Sequence, residues 1–323
     1  MIAVEGLSRR YGENMAVDSL SFTAGDGLVT GFVGPNGAGK STTLRILLGL
    51  ERPDSGIAHI DCRPYGALDR PMSRVGALLD AGWVHPGRSA RAHLRWLSQV
   101  GRIDADRADA VLTRVGLDEV ADRRVGGFSL GMRQRLGLAG ALLGEPAHLV
   151  LDEPLNGLDP DGVHWMRRFI RHYAECGNTV LVSSHLLSEM SLTADRLVVI
   201  GRGSLIGQYD TDEFVRSMSA TSIRVRVDRP EVLHAAACTR GWAVEATAAG
   251  ALALSDPAGG LEASSVGRVC FAAGLRVDEL TEVRGSLEDA FLAATGDVLD
   301  YRSPEAGNAV GAPPAGARTE AAG

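Results

Sequence analysis

Nothing narrows the folds open to this chain as far as the run Gly34-Pro35-Asn36-Gly37-Ala38-Gly39-Lys40-Ser41-Thr42. It fits G-x-x-x-x-G-K-S, a phosphate-binding loop that needs a buried strand before it and a helix after it. Leu28 to Val33 reads as that strand, and Leu44, Leu47 and Leu48 follow at helical spacing. Glycines let successive backbone N–H groups curl around phosphate oxygens where a Cβ would intrude. The helix N-terminus adds partial positive charge. Lys40 is placed to reach β- and γ-phosphates, and the Ser41 hydroxyl to ligate Mg²⁺. Lys40 is also the only lysine among 33 basic residues. Arginine serves everywhere else, and its planar fork does not replace a compact ammonium on a flexible stem.

A length of 323 residues suits about two domains. The net charge of -7 argues against a nucleic-acid partner, which favours a basic excess. Cys62, Cys176, Cys238 and Cys270 form no C-x-x-C pair, so neither a disulfide frame nor a zinc site is expected. Glu5, Arg9 and Arg10 interrupt any signal-peptide apolar core. Apolar stretches such as Leu136 to Gly144 fall short of the roughly 20 residues that span a bilayer. The expectation is a soluble, cytoplasmic chain that reaches a membrane only through a partner.

Ile2 to Leu7 and Val17 to Thr23 read as strands joined around Tyr11-Gly12, and Tyr11 is a candidate to stack on a nucleotide base. Arg74 to Asp80 suggests another strand, and Ser89 to Arg124 a mostly helical block. Arg88, Arg91 and Arg95 share a face there, either solvated or a docking surface. Ser129 is an N-cap candidate for a helix running to about Leu143. Ala147 to Asp152 is an apolar strand ending in Asp152-Glu153. Those acids lie past a strand's carboxyl end, where open α/β sheets bind ligands. Thr179 to Ser183 is a further strand, with His185 again at its carboxyl end, and strands at Arg196 to Ile200 and Ser204 to Gln208 follow.

Residues 1–219 are expected to form one α/β domain with a helical subdomain at about 85–145. Residues 220–300 read βαββαβ, a small α+β domain with a ferredoxin-like order, in which Ser286-Leu287-Glu288-Asp289 resembles a capping box opening a last helix. Residues 301–323, rich in Pro, Gly and Ala, are expected to be a disordered tail.

From Met1 to about Ala220 this set of motifs resembles the ATP-binding subunit of ABC transporters. Phe128-Ser129-Leu130-Gly131-Met132 looks like a variant of that family's LSGGQ signature, with Leu130 and Met132 replacing Gly and Gln while Ser129 and Gly131 are kept. "SLGMRQRL" and the terminal "SLEDAFL" look most like the branch that exports drugs and peptide antibiotics. The resemblance implies an ABC-type P-loop fold, a mixed sheet with a helical subdomain. It implies ATP and Mg²⁺ as cofactors: Gly34 to Thr42 cradle the phosphates, Asp152 and Ser41 hold Mg²⁺, and Glu153 guides the attacking water. His185 would meet the γ-phosphate, and Asp159 would belong to the D-loop. Asp80 stands where the family has its Q-loop glutamine, an acid that could reach Mg²⁺ or its water. The resemblance further implies a homodimer, in which Ser129 and Gly131 approach ATP across the interface, and a separate integral-membrane permease. ATP hydrolysis would then drive export, of a drug or antibiotic in this branch. Alternatives are an ABC ATPase driving a non-transport membrane process, and a nucleotide-binding module without turnover.

Overall fold

The computed structural model describes residues 1–218, 221–247, 251–256 and 261–284. The chain opens with an antiparallel hairpin of β1 (Ile2–Tyr11) and β2 (Asn14–Ala24). Both strands run past the apolar alternation that announces them, because their outer ends pair through backbone while pointing polar side chains to solvent. β3 (Val29–Val33) then enters the centre of the molecule and delivers the glycine-rich loop into α1 (Lys40–Leu47). β4 (Ser55–Ile60) returns to the free edge of β1, giving a three-stranded sheet in the order β2-β1-β4. β4 has no counterpart in the expected strands.

β5 (Val75–Leu78) leads into a helical excursion of α2 (Ala90–Gly101), α3 (Arg107–Arg114) and α4 (Leu130–Leu142). Ser89 caps α2 and Ser129 caps α4, each hydroxyl accepting an amide proton at 3.2 Å. Arg88 therefore precedes the helix that was expected to carry it. Its guanidinium lies 4.9 Å from the centroid of the Trp96 ring, while Arg91 pairs with Asp122 at 3.0 Å and Arg95 with Asp109 at 3.4 Å. These arginines are satisfied within the chain.

β6 (His148–Asp152), α5 (Pro160–Glu175), β7 (Thr179–Ser184), α6 (Leu187–Ser191), β8 (Arg196–Gly201), β9 (Ser204–Asp210) and α7 (Thr211–Met218) complete the first unit. Its main sheet runs β5-β6-β7-β3-β8-β9, parallel except for β9. Both faces are covered. Leu149 and Leu151 join a core built largely on the helical side, whereas Val150 between them joins the core beneath the three-stranded sheet. Val180 and Val182 split from Leu181 in the same way. Such central strands read as continuous apolar runs. Phe22 and Phe32, with ring centroids 5.0 Å apart, join the two sheets.

The remaining elements are β10 (Thr221–Val227), α8 (Pro230–Cys238), β11 (Ala243–Ala246), β12 (Leu252–Ser255), α9 (Ala263–Ala272) and β13 (Val277–Arg284). Their antiparallel sheet runs β11-β12-β10-β13. Ile223, Val225, Leu233, Leu254 and Val266 form a core separate from the other two. The expected helix from Ser286 and the tail at 301–323 lie outside the described residues. Among the described residues no helix is long and apolar enough to cross a membrane.

Candidate active site

Three neighbouring parallel strands, β6, β7 and β3, end at the same edge of the sheet. Asp152 pairs in register with Ser183, and Val33 with Ser184, so Asp152-Glu153, His185 and the start of the glycine-rich loop are brought level. Strand register, not sequence proximity, gathers these residues.

The loop is held open by close backbone approaches. A Cβ on Gly34 would lie 2.5 Å from the carbonyl oxygen of Ile200, and one on Gly39 would lie 2.3 Å from that of Ala16. Gly39 also sits at φ +99°, in the left-handed region, where it is the N-cap of α1. No side chain caps that helix. The first-turn amides thus have no intrahelical acceptor and are available to an anion.

Lys40 is 6% exposed. Its Nζ donates to the carbonyls of Gly34 at 2.6 Å and Pro35 at 3.2 Å, and lies 3.5 Å from Glu153 Oε1. Burial pushes its pKa down, opposed by the adjacent Glu153 carboxylate and then by Asp152. The other oxygen of Glu153 lies 2.9 Å from His185 Nδ1. One carboxylate therefore bridges an ammonium and an imidazole.

Glu153 has φ +48°, unusual for a residue with a Cβ. Ser183 supports this turn. Its hydroxyl donates to Asp152 Oδ1 at 2.5 Å and accepts from the Glu153 amide at 3.0 Å. Ser184 helps on the other side, its carbonyl accepting from the Gly34 amide at 3.3 Å. Neither serine was among the expected site residues. The available signal was the pair of hydroxyls closing an otherwise apolar strand beside His185.

The donors suited to a metal are Ser41, in the first turn of α1, and Asp152, both hard oxygen ligands. Among the described residues no three His, Cys, Asp or Glu side chains cluster as a metal cage. That set fits Mg²⁺, which keeps waters and binds through one or two protein oxygens plus phosphates. Asp80 follows β5, whose Leu78 pairs in register with Leu151 of β6; it is exposed, its Oδ1 accepts from the Gly82 amide at 2.6 Å, and it lines an apolar groove of about 460 Å³ with Leu50, Trp83, Trp96 and Leu97. Tyr11 ends β1 and pairs in register with Asn14 at the start of β2. Its hydroxyl bonds to Glu51, and the Arg9 guanidinium lies 4.9 Å from its ring centroid.

Ser129, Gly131 and Asp159 gather elsewhere. They line a cleft of about 210 Å³ with Met132, Arg135, Leu158 and Trp165, and no residue of the glycine-rich loop, nor Glu153 or His185, lines it. Asp159 caps α5 by accepting from the Gly162 amide at 2.8 Å. Chemically, one edge of the chain thus offers a polyphosphate cradle beside a carboxylate–imidazole pair, and another offers two capped helix N-termini.

Comparison with known proteins gives these features a context. Residues 17–156 match the family model described as ABC transporter, and residues 221–288 match a domain of unknown function. The chain is similar to the bacitracin transport ATP-binding protein BcrA of Bacillus licheniformis, 40% identical over 215 residues that cover 66% of this chain and 70% of that protein. It is 34% identical to the lantibiotic transport ATP-binding protein SrtF of Streptococcus pyogenes, over 66% of this chain and 93% of that one. An uncharacterised ABC transporter ATP-binding protein of Bacillus subtilis, YhcH, is 33% identical over 93% of this chain and 97% of its own. Among solved structures, cbiO1 of Clostridium perfringens, part of an ABC transporter complex, superposes with a TM-score of 0.58 at 26% identity, over 68% of this chain and 94% of that one. A dimeric bacterial ABC transporter cassette gives a TM-score of 0.60 at 22% identity, over 65% and 99% of the two chains, which speaks to the fold alone.

Proposed function

This chain belongs to the family of ABC transporter ATP-binding proteins, and from that premise we infer that it is the ATP-hydrolysing, energy-coupling subunit of an exporter, working in a dimer with a separate membrane permease. The observation that carries the reading is the bridge made by Glu153, with Lys40 at 3.5 Å on one oxygen and His185 at 2.9 Å on the other, beside an uncapped helix N-terminus.

In this reading the amides of Gly37 to Thr42 and the Lys40 ammonium receive the β- and γ-phosphates of ATP. Mg²⁺, held by Ser41 and Asp152, supplies charge neutralisation on the phosphoryl oxygens. Phosphoryl transfer needs positioning and electrostatic stabilisation more than covalent chemistry. Glu153, fixed in its left-handed turn by Ser183, orients a water in line with the γ-phosphate and takes its proton. His185, poised on the same carboxylate, donates a hydrogen bond to the γ-phosphate.

The separation of the Ser129–Asp159 cleft from the loop supports a two-fold, head-to-tail homodimer. Each copy would present Ser129, Gly131 and Asp159 to the ATP held by the other. Loss of the γ-phosphate would release the pair, and that motion would drive the permease. The apolar groove around Trp83 and Trp96, 66% and 46% exposed, suits the permease contact, with Asp80 at its rim linking it to β5. The permease would hold the chain at the cytoplasmic face of the membrane. Bacitracin and lantibiotic transport by relatives favours a drug or peptide antibiotic as the exported molecule, and export over a non-transport role.

Phosphate release from the purified chain with Mg²⁺ and ATP tests this. Steady turnover is expected, lost in Lys40→Ala through nucleotide binding and in Glu153→Gln with binding retained. Near-native hydrolysis by Glu153→Gln would remove the carboxylate from its role.

A further inference from the structure

Arg135 and Trp165 have no part in the chemistry above, yet they bring a side chain of α4 against a ring of α5. The Arg135 guanidinium lies 4.4 Å from the centroid of the Trp165 ring, and its Nη1 donates to the Val115 carbonyl at 3.2 Å. The turn after α3 is built tightly around it, since a Cβ on Gly116 would lie 3.3 Å from the same nitrogen. Trp165 stacks on Phe169, and Phe169 on Tyr173, each at 5.7 Å between centroids. Arg114, in the last turn of α3, lies 5.5 and 5.6 Å from the latter two rings. Tyr173 anchors the row by donating to the Pro146 carbonyl at 2.6 Å. One side chain of α4 is thereby fastened to α3 and to an aromatic row along α5.

The place of this fastening matters. Ser129 caps α4 and Asp159 caps α5, and Arg135 and Trp165 each stand six residues past the cap of their helix. At a rise of about 1.5 Å per residue the stack lies about 9 Å behind both helix N-termini. Arg135 and Trp165 line the same cleft as Ser129 and Asp159. Between stack and caps, a Cβ on Gly131 would touch Leu158 at 3.4 Å, so the two ends are packed at the front as well as pinned behind.

We propose that the Arg135–Trp165 stack is a positioning device that sets the spacing of Ser129 and Asp159, and so the fit of one subunit's signature face against ATP held by the other. It rests on the dimer reading above. Neither residue lines or bonds to the glycine-rich loop, so each chain keeps its own nucleotide affinity when the stack is lost. The closure of two chains around ATP is what weakens. A cation on a half-exposed ring gives about a two- to fivefold effect. Each dimer contains the stack twice, so dimerisation weakens by about 4- to 25-fold, the square of that range.

The test uses the full chain carrying Glu153→Gln, with Arg135→Leu, Trp165→Leu and both together. Sedimentation in MgATP gives the dimer dissociation constant, and calorimetric titration with ADP gives single-chain affinity. Expected is ADP affinity within about twofold throughout, dimerisation weakened as above, and a double variant no weaker than the worse single one, since paired residues are not additive. Arg135→Lys, which keeps a cation over the ring, recovers part of the loss. In the chain with native Glu153, kcat falls while KM for ATP holds. Unchanged dimerisation, a parallel loss of ADP affinity, or fully additive effects would each overturn the proposal. Failure of Glu153→Gln to dimerise with Arg135 and Trp165 intact would overturn the dimer reading and the proposal together.

Discussion

Replacing Gly39 with alanine separates the two demands on the phosphate loop, and Gly37→Ala is its matched control. Both glycines have positive φ, +99° and +82°. A Cβ at Gly37 meets nothing within 4 Å, whereas one at Gly39 meets the Ala16 carbonyl oxygen at 2.3 Å and Val17 Cγ2 at 3.3 Å. Gly37→Ala therefore carries the left-handed penalty alone, about 1 kcal/mol. Gly39→Ala adds a clash with the backbone of β2, and overpacking of this kind costs about 1–3 kcal/mol more. The totals are about 1 against about 2–4 kcal/mol. For a unit of this size they translate to losses of about 2–4 °C and about 4–16 °C in Tm. The strain at Gly39 relaxes by moving the N-terminus of α1 away from β2, which misplaces the first-turn amides and Lys40. Nucleotide affinity should then fall at least tenfold, equivalent to about 1.4 kcal/mol. Differential scanning calorimetry and calorimetric titration with ADP read the two quantities. Equal stability of the two variants, with ADP affinity at Gly39→Ala unchanged, would refute the claim that the approach to Ala16 shapes the loop.

Ser183→Ala strips a hydroxyl that serves both Asp152 and Glu153, and unpairing buried polar groups costs about 1–3 kcal/mol. It should lower kcat for ATP hydrolysis more than it raises KM, a split that steady-state kinetics resolves. Tyr173, whose pKa burial raises to about 12, should stay un-ionised in a spectrophotometric titration to pH 11. Tyr173→Phe leaves the Pro146 carbonyl without that donor and should destabilise by about 1–2 kcal/mol in urea unfolding. Asp61 is raised by its burial, but hydrogen bonds from His148 and from the chain's terminal ammonium overcome this and hold its pKa below the usual carboxylate range. A depressed folded pKa stabilises above the unfolded value near pH 4 and ceases to do so as pH falls through the folded value. Asp61→Asn should therefore cost stability at pH 7 and progressively less at pH 3, as read by urea midpoints.

Legibility in the sequence followed how local each feature was. Gly34 to Thr42, Asp152-Glu153 and Ser129 at its helix start depend on neighbours a few residues away, and their strand and helix contexts stand where periodicity put them. β4 was invisible because five of its six residues are not buried, and it exists to satisfy the edge of β1. It even requires Gly56 at φ +77°, where a Cβ would strike the Gly6 carbonyl oxygen at 2.2 Å. Ser183 escaped because its function depends on register with β6, a long-range fact. The Glu153 bridge and the Arg135–Trp165 stack are likewise products of which strands and helices become neighbours, and no spacing announces them.

The measurement that bears most directly on the account is the mass in solution of Glu153→Gln, by light scattering, with and without Mg²⁺ and ATP. A shift from one chain of 34.0 kDa to two when MgATP is added, reversed on exchange for ADP, is the predicted result. A variant that holds ATP firmly yet keeps the mass of a single chain would contradict the claim that the nucleotide joins two copies.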